Sequence, residues 1–181
     1  MPIEASTVDD LFAKIGSALQ TPATLCVIGS TPGIATGQKE RQTPDIDVWF
    51  AGSSFDVAEL STVCRNIGVL YDPKGEIDPD TIYIQIIRPG VVQLPKDFET
   101  ETIGRYGQLT VIMPTPDLLA AAKLVRSSPA DVQDVVWWVK QRGIDLSDIE
   151  LAIKKLPRAS DREAASENLV FVELTTGRGH K

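Results

Sequence analysis

The sequence is poor in the side chains that most often do chemistry near neutral pH: it has one histidine and two cysteines in 181 residues. His180 stands in the terminal run Thr175-Thr176-Gly177-Arg178-Gly179-His180-Lys181, and a chain end frays, so histidine-dependent catalysis is not expected. Cys26 and Cys64 each lie in an apolar segment with no neighbouring Cys or His, which argues against a disulfide or a thiolate metal cluster and for two reduced core residues. Basic residues are also short, 18 Lys+Arg against 25 Asp+Glu for a formal charge of −7. Such a chain repels the phosphate backbone, so bulk DNA binding is disfavoured. No apolar run approaches the ~20 residues of a membrane span, and Met1-Pro2-Ile3-Glu4 lacks the basic and apolar regions of a signal peptide. The expectation is a cytoplasmic protein with no membrane partner.

What remains is ordinary globular material, 43% hydrophobic and 24% charged, long enough for one full domain of ~150 residues with a small helical appendage. Val8, Leu11, Phe12, Ile15 and Leu19 fall at helical spacing behind Ser6 and Asp9, a capping-box pattern, and predict a helix over 7–19. Thr24 to Ile28 reads as a buried strand ending at the turn Gly29-Ser30, and Asp45 to Phe50 alternates with a strand's period of two. A helix is expected over 55–66, stopped at Gly68, then strands over 81–88, 100–103 and 108–113, with a turn at Tyr106-Gly107. From Thr115 the pattern turns helical. Thr115-Pro116 opens a helix to Arg126, Ser128-Pro129 opens another to Arg142, Ser147 with Glu150 caps a third, and Ser160 with Glu163 starts a fourth, in which Leu169 to Val172 also fits a strand. The fold class expected is α/β (α+β): a mixed sheet with flanking helices over 1–114, a helical part over 115–175 packed on it, and a flexible tail over 176–181.

Residues two apart on a strand share a face, so Asp45 and Asp47 project together while Ile46, Val48 and Phe50 point to the core. Paired carboxylates repel unless a cation or solvent relieves them, and a hard ion such as Mg²⁺ or Mn²⁺ takes oxygen ligands and bridges to substrate phosphates. A solvated sheet face bearing two acids is the plain alternative. Upstream, glycine at Gly29 lets backbone N–H groups approach an oxyanion and Ser30 adds a hydroxyl donor, although an ordinary strand-end turn has the same composition.

Gly29-Ser30 followed by Arg41-Gln42-Thr43-Pro44-Asp45-Ile46-Asp47 resembles the signature of nucleotidyltransferases of the DNA polymerase beta superfamily, and most of all the AbiEii-like branch of toxin–antitoxin type. A second segment adds to the resemblance: Pro116-Asp117-Leu118, Lys123-Leu124, and Asp131 with Asp134. The likeness spans about residues 24–145 and implies a nucleotidyltransferase fold that transfers a nucleotide from an NTP to an acceptor. It implies metal ligands at Asp45 and Asp47, phosphate or nucleotide contacts at Gly29 and Ser30, and catalytic roles for Lys123 and Asp134; Arg41 and Thr43 would orient the loop or contact phosphate, a plain surface arginine being the alternative for Arg41. Its partners would be the nucleotide triphosphate, a tRNA or protein acceptor, and a cognate partner protein.

Read as residues alone, Lys123 also suits a solvated helix face, and Asp131 completes a capping box with Ser128. Asp134 has no such local role; it shares a face with Asp131 and Trp138, while Val132, Val135, Val136 and Val139 line another. Trp137 and Trp138 fit base stacking less well than core. The chain departs from the pattern at three places: Gln85 stands where a third strand acid would be, Pro32-Gly33 interrupts the helix expected after the turn, and Ser127-Ser128-Pro129-Ala130 replaces a basic element. Those departures keep two other classes open, a catalytically degenerate binding module and an α/β domain whose aspartates are merely solvated.

Overall fold

The computed structural model describes residues 5–78, 81–90 and 93–177. His180 therefore lies outside the described residues, as do the first four residues and the Ser6 side chain. The chain divides into two compact units, one of Met1–Arg88 with Thr100–Met113, the other of Pro89–Glu99 with Pro114–Lys181.

The first unit holds helices α1 (Ala5–Ala18), α2 (Thr31–Ala35) and α3 (Val57–Asn66), and strands β1 (Ala23–Cys26), β2 (Asp45–Trp49), β3 (Leu70–Tyr71), β4 (Tyr83–Ile87), β5 (Thr100–Tyr106) and β6 (Leu109–Pro114). The strands form two three-stranded sheets, ordered β1-β6-β5 and β2-β4-β3. β1 runs parallel to β6, and β4 runs parallel to both β2 and β3. An antiparallel bridge between Val27 and Val48 joins the end of one sheet to the other. Phe12, Ile15, Leu25, Ile34, Ile46, Leu60, Ile84 and Leu109 fill this unit's core, each with no exposed surface; fully burying one such side chain stabilises by about 1.5–3 kcal/mol.

Local chemistry accounts for most boundaries and for the corrections. Helix α1 begins at Ala5, so Ser6 lies within it rather than ahead of it. Asp56 caps α3 by accepting the Glu59 amide at 2.7 Å, which starts the helix two residues after Phe55. Phe50 does not point to the core. The chain leaves β2 after Trp49 for a 3₁₀ turn over Phe50–Gly52, so Trp49 is buried and Phe50 is 44% exposed. Pro32-Gly33 does not abolish the helix after the turn, because proline at its first positions is compatible with helix; α2 forms, and ends within five residues.

The second unit is helical: α4 (Pro116–Arg126), α5 (Pro129–Trp137) with a π-helical extension over Trp138–Arg142, α6 (Leu146–Lys155) and α7 (Ala159–Thr176). Gly143 ends the extension at φ +67, a left-handed stop that glycine takes without steric cost. Asp145, not Ser147, precedes α6, and Leu169 to Val172 lie in α7 rather than in a strand. Leu146, Ile149, Ala152, Ile153 and Leu156 are buried together, as their spacing predicts. Among the described residues no helix is long and apolar enough to cross a membrane.

Candidate functional site: an acid pair against a glycine turn

Strand β2 buries Ile46 and Val48 completely and leaves Asp45 and Asp47 half-buried on the opposite face. In a parallel pair, residues in register share a face; Tyr83 is level with Asp45, and Gln85 with Asp47. The four side chains thus form a polar row on one side of the sheet. Burial, and then the charges of Asp45 and Asp47, push the Tyr83 phenol above its ordinary pKa. Sequence reasoning missed Tyr83 as part of this row. The period-two alternation of Tyr83-Ile84-Gln85-Ile86 was the available signal, but the register against β2 was not.

The glycine turn is seated on the same acids. Past the Val27–Val48 bridge, the Ile28 amide donates to the Asp47 carbonyl at 2.9 Å, which carries Gly29 directly over the Asp47 side chain. Gly29 sits at φ +68, and a Cβ there would collide with Asp47 Oδ2 and lie 3.1 Å from its Cγ. Both the backbone conformation and the close approach require glycine. Ser30 Oγ accepts from Arg41 Nη2 at 2.7 Å, and Arg41 Nη1 donates to the Gln42 carbonyl at 3.2 Å. The buried Thr43 hydroxyl donates to Asp45 Oδ1. Arg41 is therefore not a plain surface arginine: it ties the loop to the turn, and Thr43 ties it to the acid pair. Gly29, Ser30, Arg41, Thr43, Asp45 and Asp47 are brought together.

Carboxylate and hydroxyl oxygens beside a glycine turn suit a hard cation and phosphate oxygens. Directly after the turn, Thr31 is 1% exposed and its hydroxyl has no hydrogen-bond partner among the described residues, a further oxygen in need of one. Among the described residues no three His, Cys, Asp or Glu side chains converge on a metal position. A separate open groove of about 410 Å³ runs along α1, lined by Asp10, Lys14, Ile67, Gly68 and Thr81 among others; none of the predicted site residues lines it.

Lys123, Asp131 and Asp134 lie in the second unit and meet there. Lys123 is not solvated: it is 8% exposed, and its Nζ stands 2.8 Å from Asp134 Oδ2 and 3.5 Å from Asp131 Oδ1. Asp131 forms the full capping box with Ser128 and accepts two bonds from Arg126, each 2.7 Å. The face of α5 that carries Asp131, Asp134 and Trp138 is the buried one, while Val132 and Val136 are only half-buried. Val135 and Val139 are fully buried as hydropathy expects; what hydropathy does not predict is the burial of the two aspartates beside them, which charge compensation by Lys123 and Arg126 from the preceding helix allows. Trp138 is core, edge-on to Trp137 at 5.0 Å between ring centres.

Burial raises the Asp131 pKa, but hydrogen bonds from Arg126 and Ser128 and the charge of Lys123 outweigh it and hold the carboxyl well below its ordinary value. A depressed folded-state pKa stabilises above the unfolded value of about 3.9 and is lost as pH falls through the folded one. The wild-type advantage in melting temperature over Asp131→Asn should therefore be full above about pH 5 and shrink steadily toward about pH 2. Thermal melts of both proteins across that range check this; a constant difference would mean that the carboxylate's charge does not contribute. Cys26 and Cys64 are buried and unpaired with each other, their thiols pushed by burial to about 12 and about 11, as expected of inert core cysteines.

A mixed α/β core that seats a glycine turn against two strand carboxylates has the layout of a nucleotidyltransferase. The comparison with protein families agrees: residues 6–171 match the model of the family described as "Nucleotidyltransferase of unknown function (DUF6036)", and the chain belongs to that family. No curated protein and no solved structure matches it.

Proposed function

We propose that the protein transfers a nucleotide from an NTP to an acceptor at the face formed by Asp45, Asp47 and the Gly29-Ser30 turn. The observation that carries this is the contact of Gly29 with the Asp47 carboxylate, because it makes a phosphate-type turn and a pair of hard-oxygen ligands one structural element. Asp45 and Asp47 would hold Mg²⁺, which supplies charge neutralisation to the triphosphate when bound. Amides of the turn and the Ser30 hydroxyl, steadied by Arg41, position the phosphates. An acceptor hydroxyl, giving its proton to solvent, then forms its bond to the α-phosphorus in line with the bond to the oxygen bridging the α- and β-phosphorus, which breaks, and pyrophosphate leaves with that electron pair. Thr43 keeps the Asp45 carboxylate turned to its task by hydrogen bonding to Oδ1.

The ordered set from Gly29-Ser30 through Arg41, Thr43, Asp45 and Asp47 supports placing the chain near the AbiEii-like branch, with a tRNA or protein acceptor and a cognate partner. A binding module without turnover is the second reading, favoured by Gln85 at the strand position level with Asp47. One experiment separates the two. The NTPs labelled at the α-phosphate are incubated with the protein, Mg²⁺ and cell extract. Label should pass to an acceptor from at least one NTP, with Mg²⁺ required and transfer lost in Asp45→Ala. Asp47→Asn should also bind Mn²⁺–nucleotide at least about tenfold more weakly by calorimetry, since removing a ligand's charge should cost no less than losing an outer-shell partner. Nucleotide binding with no transfer across RNA, protein and small-molecule fractions would establish the binding module, and an unimpaired Asp47→Asn would remove the acid pair as the site.

A further inference from the structure

Gln85 departs from the acid expected at its position, and its surroundings give it a definite orientation. It is level with Asp47 on one flank. On its other flank, Asp72 follows the end of β3, where Tyr71 pairs with Ile84 and the Asp72 amide donates to the Ile84 carbonyl at 2.7 Å. Asp72 adopts φ +43, a left-handed backbone that residues other than glycine rarely take, and its side chain crosses to β4. There the carboxylate, 10% exposed, accepts from the Ile86 amide at 3.2 Å, from Lys74 and Arg88 at 3.1 Å, and from Gln85 Nε2 at 3.1 Å. Two cationic side chains and a backbone amide directed at this one carboxylate mark it as the ionised, accepting partner.

An ionised carboxylate only accepts, so the end of the Gln85 amide that faces Asp72 must be the NH₂. The amide is planar, and its oxygen is thereby turned away from β3. We propose that Gln85 is a ligand in its own right: its Oε1 supplies a neutral oxygen to a hard divalent cation held by Asp45 and Asp47, and Asp72 is the positioning residue that fixes the amide for it. The inference rests on the reading of the acid pair given above. An amide oxygen is an ordinary ligand for such ions. A carboxylate at position 85 would instead face Asp72 at the same distance and repel it. Two charges and one amide match a single divalent ion, which fits a site without a third acid.

Free Mn²⁺, followed by its electron paramagnetic resonance signal during titration, tests this without reference to turnover. Gln85→Leu should weaken Mn²⁺ binding at least about tenfold, and Asp72→Asn by a similar or smaller factor, as outer-shell partners do. Because Asp72 acts through Gln85, Asp72→Asn should change nothing further once Gln85→Leu is present. Gln85→Glu combined with Asp72→Asn exchanges donor and acceptor across the contact and should bind Mn²⁺ at least as tightly as wild type. If Gln85→Leu melts well below wild type, this exchange variant alone decides, and weaker binding in it overturns the proposal. Unchanged affinity in a folded Gln85→Leu, alongside loss in Asp47→Asn, also overturns it and leaves the acid pair standing. A wild-type protein that takes up no Mn²⁺, or loses none in Asp47→Asn, overturns both.

Discussion

Gly29→Ala is expected to destabilise the protein by about 2–4 kcal/mol, roughly 1–2 from forcing an L-residue to positive φ and the rest from the overpacked contact. The added methyl meets Asp47 along the whole of its short side chain, with Oδ2, Cγ and Cβ all in its path. Gly68 supplies the control: its φ is +78, and a Cβ there meets nothing within 4 Å, so Gly68→Ala should show the backbone cost alone. In an Asp47→Ala background the Gly29→Ala penalty should fall toward the Gly68 value, since the colliding group is gone. Urea unfolding of the five proteins measures all of these differences. Equal costs at Gly29 and Gly68 would show that the turn is not pressed onto the acid.

Asp134→Ala should cost more, about 3–5 kcal/mol, because it strips a buried ammonium of its nearest counter-charge. Lys123 would be left beside Asp131 at 3.5 Å, a carboxylate already engaged by Arg126 and Ser128. Asp131→Ala loses the cap, about 0.5–2 kcal/mol, and releases the Arg126 guanidinium, 75% exposed, to water. The order is thus the reverse of one that treats Asp131 as structural and Asp134 as purely functional. Lys123→Met in the Asp134→Ala protein should restore much of the loss, since methionine fills the lysine's volume without a stranded charge. Calorimetric melting of these variants is the check, and an Asp134→Ala protein as stable as wild type would mean that the pair is not maintained in solution.

The acid pair and its turn were legible in the sequence because their signals are local: a period of two places Asp45 and Asp47 on one face, and glycine marks the left-handed turn. Arg41 and Thr43 were legible as orienting residues for the same reason, being only a few positions from what they hold. The α5 surface was not. Hydropathy ranks Asp131 and Asp134 outward, and only the arrival of Lys123 and Arg126 from another helix lets them be buried alongside Val135 and Val139. Helix α7 misled for a related reason: Leu169 and Val172 are buried while Val170 and Phe171 are about half exposed, so an apolar run that looks like a strand is a helix with apolar side chains on more than one side. Tyr83 and Asp72 depend on strand register, which no local pattern encodes.

The parallel pairing of β1 with β6, Ala23 against Leu109 through Cys26 against Ile112, also sets when the acid face comes into being. β1 leads straight into the segment that drops Gly29 onto Asp47, yet its ladder partner is among the last parts of that unit to leave the ribosome. Closing such a long loop is entropically slow compared with forming local helices. A nascent chain that has already emitted both aspartates thus still lacks the strand that anchors the turn above them. The proposed phosphate-binding arrangement is thus completed only near the end of the unit's synthesis, and a chain truncated before Leu109 carries the motif without the strand that anchors it.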